Sequence, residues 1–295
     1  MRAECTIKAT MGAIVAVAAL GASAVAATAA PCGHDGRGFQ RWIQDFKAEA
    51  VAKGVSRGTA ARLLDEVGYD TRVIRLDRSQ RSFRLSFEEF YRRRVSDALI
   101  RRGRRYMETH TNLLRRIERQ FGVPGAVVMA VWGLETNYGS DSGGKYSIVQ
   151  SLATLAYDCR RTAFFRPHLL NALVIVDRGD IPGAQMRGGW AGEIGPMQFL
   201  PTSYVRYAVD FDGDGRRDLF HSKPDMLAST ANFLKGHGWR RGEPWGEGTH
   251  NYGVIRDWNK AEVYVRTIAV MAGRLAQAPQ AVEPRRRQRR GTRTD

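Results

Sequence analysis

The chain has 295 residues, enough for one large domain or two small ones with a sizeable buried core. Its 43% hydrophobic and 26% charged residues exclude wholesale disorder, and no internal stretch is long and apolar enough for a polytopic membrane protein. The 46 Lys and Arg residues outnumber the 30 Asp and Glu residues, giving a formal net charge of +16, and three cysteines without CxxC spacing exclude a disulfide-dense scaffold and a zinc ribbon.

The first thirty residues have the pattern of a signal peptide. Arg2 and Lys8 supply positive charge, residues 11–25 form a short run of small apolar residues, and an Ala-Thr-Ala sequence provides a cleavage motif. An N-terminal membrane anchor is the alternative, but the apolar run is too short to favour it. We therefore predict that residues 1–30 are removed on export to the periplasm, which leaves a soluble chain without a transmembrane segment.

Export also bears on the cysteines. Cys5 leaves with the signal peptide, whereas Cys32 and Cys159 remain in an oxidising compartment. We predict a disulfide between these two residues, with a pair of free thiols as the alternative. A lipoprotein is not predicted, because Cys32 follows Pro31 where a lipid-attachment motif has Gly, Ala or Ser.

Helical periodicity dominates the rest of the chain, which predicts a mainly α fold with one domain over residues 31–280. Serines, prolines and glycines at the ends of the apolar repeats set the predicted boundaries. Short strands, if any, are expected near Ile181 or Val254. The predicted helices cover residues 39–53, 57–67, 86–94, 96–121, 124–136, 165–178, 201–210, 224–237 and 260–277.

The helix predicted over residues 124–136 reads PGAVVMAVWGLET and is apolar on every side, so it should be buried. It carries a lone carboxyl group, Glu135, in its last turn. Burial and the negative end of the helix dipole both disfavour the charged carboxylate. A carboxyl group that stays protonated near neutral pH is a suitable general acid, although a glutamate at a helix end can also reach solvent or pair with an arginine.

A glycine-rich segment, residues 188–204, reads GGWAGEIGPMQFLPTSY and carries Gln198 just before a helix start. Amide groups pair with the hydroxyl and acetamido groups of sugars, and aromatic rings stack on the apolar sugar faces. This composition favours a carbohydrate site, although each aromatic residue could instead belong to the core. The aromatic candidates are Tyr138, Tyr146, Trp190, Tyr204, Tyr252 and Trp258.

Residues 210–218 read DFDGDGRRD and have the spacing of a calcium-binding loop, except that His221 stands where the last ligand is normally Glu. The alternating aspartates would repel one another without a cation. We therefore predict a structural Ca²⁺ ion here, with an acidic turn as the alternative. The predicted ligands are Asp210, Asp212, Asp214, Arg216 through its carbonyl, and Asp218.

Residues 281–295 form an arginine-rich tail that ends in PRRRQRRGTRTD. This sequence has no apolar side chain to bury, so we predict that the tail is disordered. The basic surplus of the chain fits a polyanionic partner outside the cytoplasm, such as a cell-wall polymer or a membrane surface. Export argues against a nucleic-acid partner.

Four segments of the chain carry a resemblance to a known family: WGLETNYG, RRTAFF, WAGEIGPMQFLP and DFDGDG. In this order they resemble glycoside hydrolase family 103, the lytic murein transglycosylases of the membrane-bound lytic transglycosylase B type, over about residues 39–275. The resemblance implies a lysozyme-like α-helical transglycosylase domain with additional helices and few short strands. It also implies peptidoglycan strands as the substrate, other cell-wall enzymes as further partners, and no cofactor required for the chemistry.

The resemblance assigns roles to individual residues. It places the single catalytic acid/base of the family on Glu135. It places the arginine pair that meets the glycan and its peptide on Arg160 and Arg161. It places two further substrate-binding groups on Gln198 and Asn259.

The chain departs from the family pattern at three positions. Trp258 precedes Asn259 where the family has Tyr. Asp225, the residue predicted to complete the shell of the Ca²⁺ ion, matches a family aspartate only with a one-residue gap. Gly189 stands where better-known members have Ser directly before the aromatic-Ala-Gly sequence. This change leaves open how the N-acetyl group or the reacting sugar is contacted there.

The implied reaction cleaves the β-1,4 bond between N-acetylmuramic acid and N-acetylglucosamine without water. Glu135 protonates the leaving oxygen, the acetamido group of the substrate stabilises C1, and the same glutamate then takes the proton of the C6 hydroxyl, which closes a 1,6-anhydro ring. Ordinary glycosidases use two carboxylates, and the resemblance supports no second one at Asp141. The alternatives are a hydrolytic lysozyme-like muramidase and a non-catalytic peptidoglycan-binding protein.

Overall fold

The computed structural model describes residues 31–79, 85–141 and 144–277. The predicted signal peptide, with Cys5, and the predicted tail at 281–295 lie outside these residues. Within them the chain forms thirteen α-helices and one antiparallel pair of two-residue strands, which confirms the predicted mainly α fold. None of the described helices is both long and apolar enough to cross a bilayer.

The elements are numbered in chain order. The helices are α1 (Phe39–Ala52), α2 (Arg57–Leu64), α3 (Thr71–Ser79), α4 (Phe87–Arg94), α5 (Asp97–Thr109), α6 (Thr111–Phe121), α7 (Gly125–Thr136), α8 (Ile148–Tyr157), α9 (Thr162–Asp177), α10 (Pro201–Tyr207), α11 (Lys223–Gly236), α12 (His250–Trp258) and α13 (Glu262–Ala276). The strands are β1 (Tyr146–Ser147) and β2 (Arg187–Gly188), with Tyr146 opposite Gly188.

Serine caps fix the start of several helices. Ser56, Ser86 and Ser96 each accept a hydrogen bond from the backbone N–H three residues on, at the first turns of α2, α4 and α5. Such a cap satisfies one of the N–H groups that a helix start leaves without a partner. These serines are the sequence signals from which the starts of the three helices were predicted.

The single helix predicted over residues 96–121 is wrong, because the structure divides it into α5 and α6 at His110. The hydroxyl of Thr111 donates to the carbonyls of Met107 (2.9 Å) and Glu108 (2.8 Å). It thereby satisfies carbonyl groups at the end of α5, so this helix ends without the glycine or proline that usually marks a stop.

Three helices have no counterpart among the predictions, namely α3, α8 and α12. All residues of α8 except Gln150 are buried, so it has no extended polar face whose spacing would identify it. The strand suggested near Val254 is wrong, because Val254 lies in α12. The strand suggested near Ile181 is found a few residues later, as β2.

Helix α7 lies at the centre of the fold. It contacts α5, α6, α11 and α13, and eleven of its twelve residues are buried. The prediction that this helix is buried is therefore confirmed, and the residue that escapes full burial is Glu135. A helix enclosed on all sides holds its last turn in a fixed position.

The segment before α1 is attached to the middle of the chain. The structure joins Cys32 to Cys159 by a disulfide, across a sequence separation of 127. Beside it, the N–H of Gly33 donates to the carbonyl of Tyr157 (3.0 Å), and the N–H of Cys159 donates to the carbonyl of Gly33 (3.1 Å). The long enclosed segment means that the bond restricts a large part of the unfolded chain.

We predict that replacement of Cys32 by Ser lowers the free energy of unfolding by about 2–5 kcal/mol, because the unfolded chain regains the entropy of the open loop. Urea unfolding measures the loss. The matched control is the parent protein with and without reductant. Reductant should destabilise the parent and leave the variant unchanged, and equal stability of parent and variant without reductant would contradict the prediction.

Candidate active site

Glu135 lies at the point where α7 ends in an unusual turn. Asn137, Tyr138 and Gly139 follow with left-handed backbones, at φ of 52°, 58° and 86°. Two consecutive non-glycine residues in this region are uncommon and are held by their surroundings. Here the ring of Tyr138 fills a slot against Gly133 and Gly103, where an added Cβ would lie 2.8 and 2.1 Å from its hydroxyl oxygen.

Burial raises the pKa of the Glu135 carboxyl, since the charged form loses its solvation. Hydrogen bonds from Trp258 and Tyr264 and the positive charge of Arg94 lower this pKa, while the charge of Glu193 raises it further. Desolvation is the largest of these effects. The protonated form of Glu135 is therefore favoured more than that of an exposed glutamate, and a general acid needs this form.

Trp258 holds this carboxyl in place. Its indole Nε1–H donates to Oε1 of Glu135 at 2.8 Å. The indole packs edge-on against Phe199 and Phe233, with ring centres 5.3 and 5.0 Å away. An indole N–H can only donate, so Oε1 remains an acceptor, and the acidic proton belongs on the other oxygen.

The glycine-rich segment forms one wall of the site. Ile194 and Phe199 exchange backbone hydrogen bonds of 2.7 and 3.0 Å, which closes a tight loop between them. The hydroxyl of Thr136, next to Glu135, donates to the carbonyl of Pro196 at 2.7 Å and ties the loop to the end of α7. Gln198 has a left-handed backbone with φ of 56°, and its side-chain amide donates to the carbonyl of Gly195 (2.9 Å).

These elements enclose a cleft of about 380 Å³ around Glu135. The predicted residues Arg161, Gln198, Trp258 and Asn259 share it, and it combines charged, amide and aromatic groups as a sugar site needs. The lining residues are Glu135, Arg161, Phe164, Phe165, Trp190, Ala191, Glu193, Gln198, Phe199, Leu200, Ser203, Phe233, Asp257, Trp258 and Asn259.

The two predicted arginines have different positions. Arg161 lines the cleft, with its guanidinium over the rings of Phe164 (4.8 Å) and Phe165 (4.7 Å). Arg160 is not among the lining residues, and its Nε donates to the carboxylate of Asp77 at 2.8 Å. Asp77 is 2% exposed and also accepts from Nη1 of Arg161 at 3.2 Å, so one buried carboxylate orients both guanidinium groups.

Three predicted aromatic contacts lie inside the protein and do not line the cleft. Tyr138 is 4% exposed, in the slot described above. Tyr204 is 1% exposed, and its hydroxyl donates to the carbonyl of Arg217. Tyr252 is 4% exposed and donates to Glu262 at 2.6 Å. The sequence shows where aromatic residues stand along the chain, but it does not show whether their rings face the cleft or the core.

The sequence interpretation missed a second carboxyl group in the cleft, Glu193. Its Oε2 accepts the N–H of Ala191 at 3.0 Å, and burial raises its pKa. The signal was available, because a glutamate stands alone within an otherwise uncharged glycine-rich segment. No cation among residues 31–79, 85–141 and 144–277 forms an ion pair with it.

The aspartate loop follows α10. Asp210, Asp212 and Asp214 are exposed, and each offers a carboxylate oxygen within 4.8 Å of the others. Asp210 accepts the N–H groups of Gly213 (2.7 Å) and Gly215 (2.8 Å), which curls the loop around its carboxylate. Three converging carboxylate oxygens fit a hard, oxygen-seeking ion such as Ca²⁺.

The other predicted ligands have different roles in this loop. Asp218 is engaged by His221, whose Nδ1 lies 3.0 Å from Oδ2. Asp225 is fully buried, and its carboxylate accepts the N–H groups of Phe211 (2.7 Å) and Asp218 (2.9 Å). Neither belongs to the three-aspartate group. The carbonyl of Arg216 lies on the same loop, and its N–H donates to Asp214 at 2.8 Å.

Comparison with known proteins gives this arrangement a family. The transglycosylase SLT domain family matches residues 38–249. The chain is 36% identical over 146 residues to membrane-bound lytic murein transglycosylase B of Escherichia coli (strain K12). The matched residues make up 49% of this chain and 40% of the length of that relative.

Solved structures give the same answer. SltB3 from Pseudomonas aeruginosa, in complex with NAG-anhNAM-pentapeptide, is 32% identical with a TM-score of 0.76, covering 81% of this chain and 80% of that one. The fold is also that of the Escherichia coli lytic transglycosylase Slt35 in complex with calcium, at 24% identity and a TM-score of 0.69, over 79% of this chain and 92% of that one. Together with its lysozyme-like α-helical architecture, the match over residues 38–249 shows that the chain belongs to the transglycosylase SLT domain family.

Proposed function

We propose that this protein is a peptidoglycan lytic transglycosylase in which Glu135 is the single acid/base. The observation that carries the proposal is the Glu135 carboxyl, whose pKa is raised by burial and which opens into a cleft of amides, aromatic rings and Arg161. Family membership supports the same reaction class, as does the relative solved with an anhydro sugar peptide. The substrate is the glycan strand of peptidoglycan.

The reaction needs one proton carrier. Protonated Glu135 donates its proton to the oxygen of the scissile β-1,4 bond as the leaving sugar departs. The acetamido group of the muramic sugar stabilises the positive charge at C1. The Glu135 carboxylate then removes the proton of the C6 hydroxyl, whose oxygen bonds to C1, so the glutamate ends the cycle protonated and no water is consumed.

Other groups of the cleft hold the strand. Arg161 offers a cation with its guanidinium plane fixed by Asp77 and two rings, which suits a carboxylate of the peptide stem. Gln198 and Asn259 offer amides for sugar hydroxyl and acetamido groups. The partly buried ring of Trp190 offers an apolar face for stacking.

The second carboxyl of the cleft is the observation that favours a hydrolytic muramidase instead. A hydrolytic glycosidase uses a second carboxylate to activate water or to attack C1. Burial raises the pKa of Glu193, which disfavours its ionised form, and the relative solved with an anhydro sugar peptide supports the transglycosylase reaction. The proposed reaction contributes to murein turnover. It takes place in the periplasm, after removal of the predicted signal peptide.

The aspartate loop adds a structural Ca²⁺ site to the proposal. Asp210, Asp212 and Asp214 would hold the ion through carboxylate oxygens. A protein of the same fold has been solved in complex with calcium. The ion would neutralise the loop, while the proton transfers depend on Glu135 alone.

We expect Glu135→Gln to reduce cleavage of purified murein sacculi by about 10²–10⁴-fold or more, because the amide cannot transfer a proton. Release of soluble muropeptides measures the rate, and melting curves show that the variant is folded. The matched control is Asp141→Asn, an exposed carboxyl a few residues on, which should cleave like the parent. Glu135→Gln activity within about tenfold of the parent, ~1.4 kcal/mol in the barrier, would rule out this role and leave a binding protein as an option.

The products should carry 1,6-anhydromuramic ends. Digestion in ¹⁸O-labelled water followed by mass spectrometry should find these ends without incorporated label, since the C6 oxygen closes the ring. Reducing muramic ends that contain ¹⁸O as the main product would establish the hydrolytic reaction instead.

Calcium should raise the melting temperature, because it binds the folded loop and not the unfolded chain. The rise is measured by titrating from chelator to millimolar calcium. Asp212→Ala should abolish the rise while its folded fraction keeps the parent's product pattern. Asp45→Ala, an exposed aspartate on α1, is the control that should respond like the parent. Identical melting of the parent in chelator and in calcium would show that the loop is an acidic turn.

A further inference from the structure

The carboxyl of Glu193 occupies the space above Gly189. A Cβ added to Gly189 would lie 2.1 Å from Oε2 of Glu193 and 2.8 Å from its Cδ. The backbone of Gly189 has no positive φ, so its conformation alone would accept a side chain. The obstacle at this position is therefore the Glu193 carboxyl.

This contact matches a departure in the sequence. The resemblance places Gly189 where better-known members of the family have a serine, and it leaves open which group meets the N-acetylated sugar there. A serine side chain and the Glu193 carboxyl cannot occupy the same place. The absence of a side chain at Gly189 therefore leaves room for the carboxyl of Glu193, four positions later.

Glu193 is also placed to meet a ligand. It lines the cleft together with Glu135, and its charge acts on the Glu135 carboxyl. Its Oε2 accepts the N–H of Ala191 at 3.0 Å, and the carboxyl also accepts the backbone N–H of Glu193 itself, whereas no side chain in the described part of the chain donates to it. A buried carboxyl without a cation is costly unless further hydrogen bonds are made, and a substrate can supply them.

We propose that Glu193 is a substrate-contacting residue that takes the place of the family serine and binds the acetamido group of the sugar in the cleft. Its carboxyl accepts the acetamido N–H, and in its protonated form the same group can donate to a sugar hydroxyl. The contact holds the N-acetylated sugar against Glu135 and thus selects N-acetylated glycans. The inference rests on the proposed glycan cleavage and adds a residue to it.

A double-mutant cycle on sacculus digestion tests the inference. Glu193→Ala should lower kcat/KM at least tenfold, mainly through KM, whereas Glu193→Gln, which keeps the shape and an acceptor oxygen, should stay within about threefold. Gly189→Ser alone should lower kcat/KM because its side chain displaces the carboxyl. The pair Gly189→Ser with Glu193→Ala should recover most of the loss, since it restores a hydroxyl to an empty space.

Melting temperatures and Glu66→Ala, an exposed glutamate on the segment after α2, serve as controls for folding. Losses that add up in the double variant, or a Glu193→Ala variant within threefold of the parent, would overturn the inference. If Glu193→Ala does not fold, the variants Gly189→Ser, Gly189→Ala and Glu193→Gln still decide the inference. Both changes at residue 189 must then raise KM, whereas Glu193→Gln must not. Absence of cleavage by the parent itself would instead refute the proposed function.

Discussion

The enclosure of α7 is the constraint on which the rest of the structure depends. The helix is apolar on all sides and is surrounded by four other helices, so its burial contributes to the core along its whole length. The same enclosure brings Glu135 to one position and removes water from its carboxyl. The burial that stabilises the fold therefore also raises the pKa of Glu135, and a more polar α7 would reduce both effects.

Opposing effects on Glu135 keep its carboxyl usable in both directions. Desolvation alone would hold it protonated, but a base is also needed once the leaving sugar has gone. The N–H of Trp258, the hydroxyl of Tyr264 and the charge of Arg94 all favour the ionised form. Arg94 also donates to the carbonyl of Leu134 at the end of α7, where a positive charge is favourable for the helix dipole. These opposing effects on its pKa are what the proposed reaction needs, since one group would act first as acid and then as base.

The sequence predicted those features of the site that depend on residue type and on short spacings along the chain. An apolar helix with one carboxyl predicted the burial of α7, and alternating aspartates marked the loop at 210–214. It was uninformative where orientation decides. Tyr138 is turned into a slot that exists because Gly103 and Gly133 have no side chains, and this depends on contacts between distant segments. Helix α8 was not predicted because the burial of nine of its ten residues removes the polar face that periodicity detects.

The position of Glu193 shows the same limit at closer range, since its contact with Gly189 depends on how the loop folds back. The loop is supported from behind by the segment that carries the aspartates: a Cβ at Gly195 would lie 2.3 Å from the carbonyl of Leu219. On the other side Asp225, buried at the start of α11, accepts N–H groups on both flanks of the aspartate loop. A cation that neutralised the aspartate loop would therefore stabilise the glycine-rich segment that carries Gln198 and Glu193. The ion would take no part in the proposed proton transfers. The glycines let this wall approach its neighbours closely, so the cleft is shaped as much by the side chains it lacks as by those it presents.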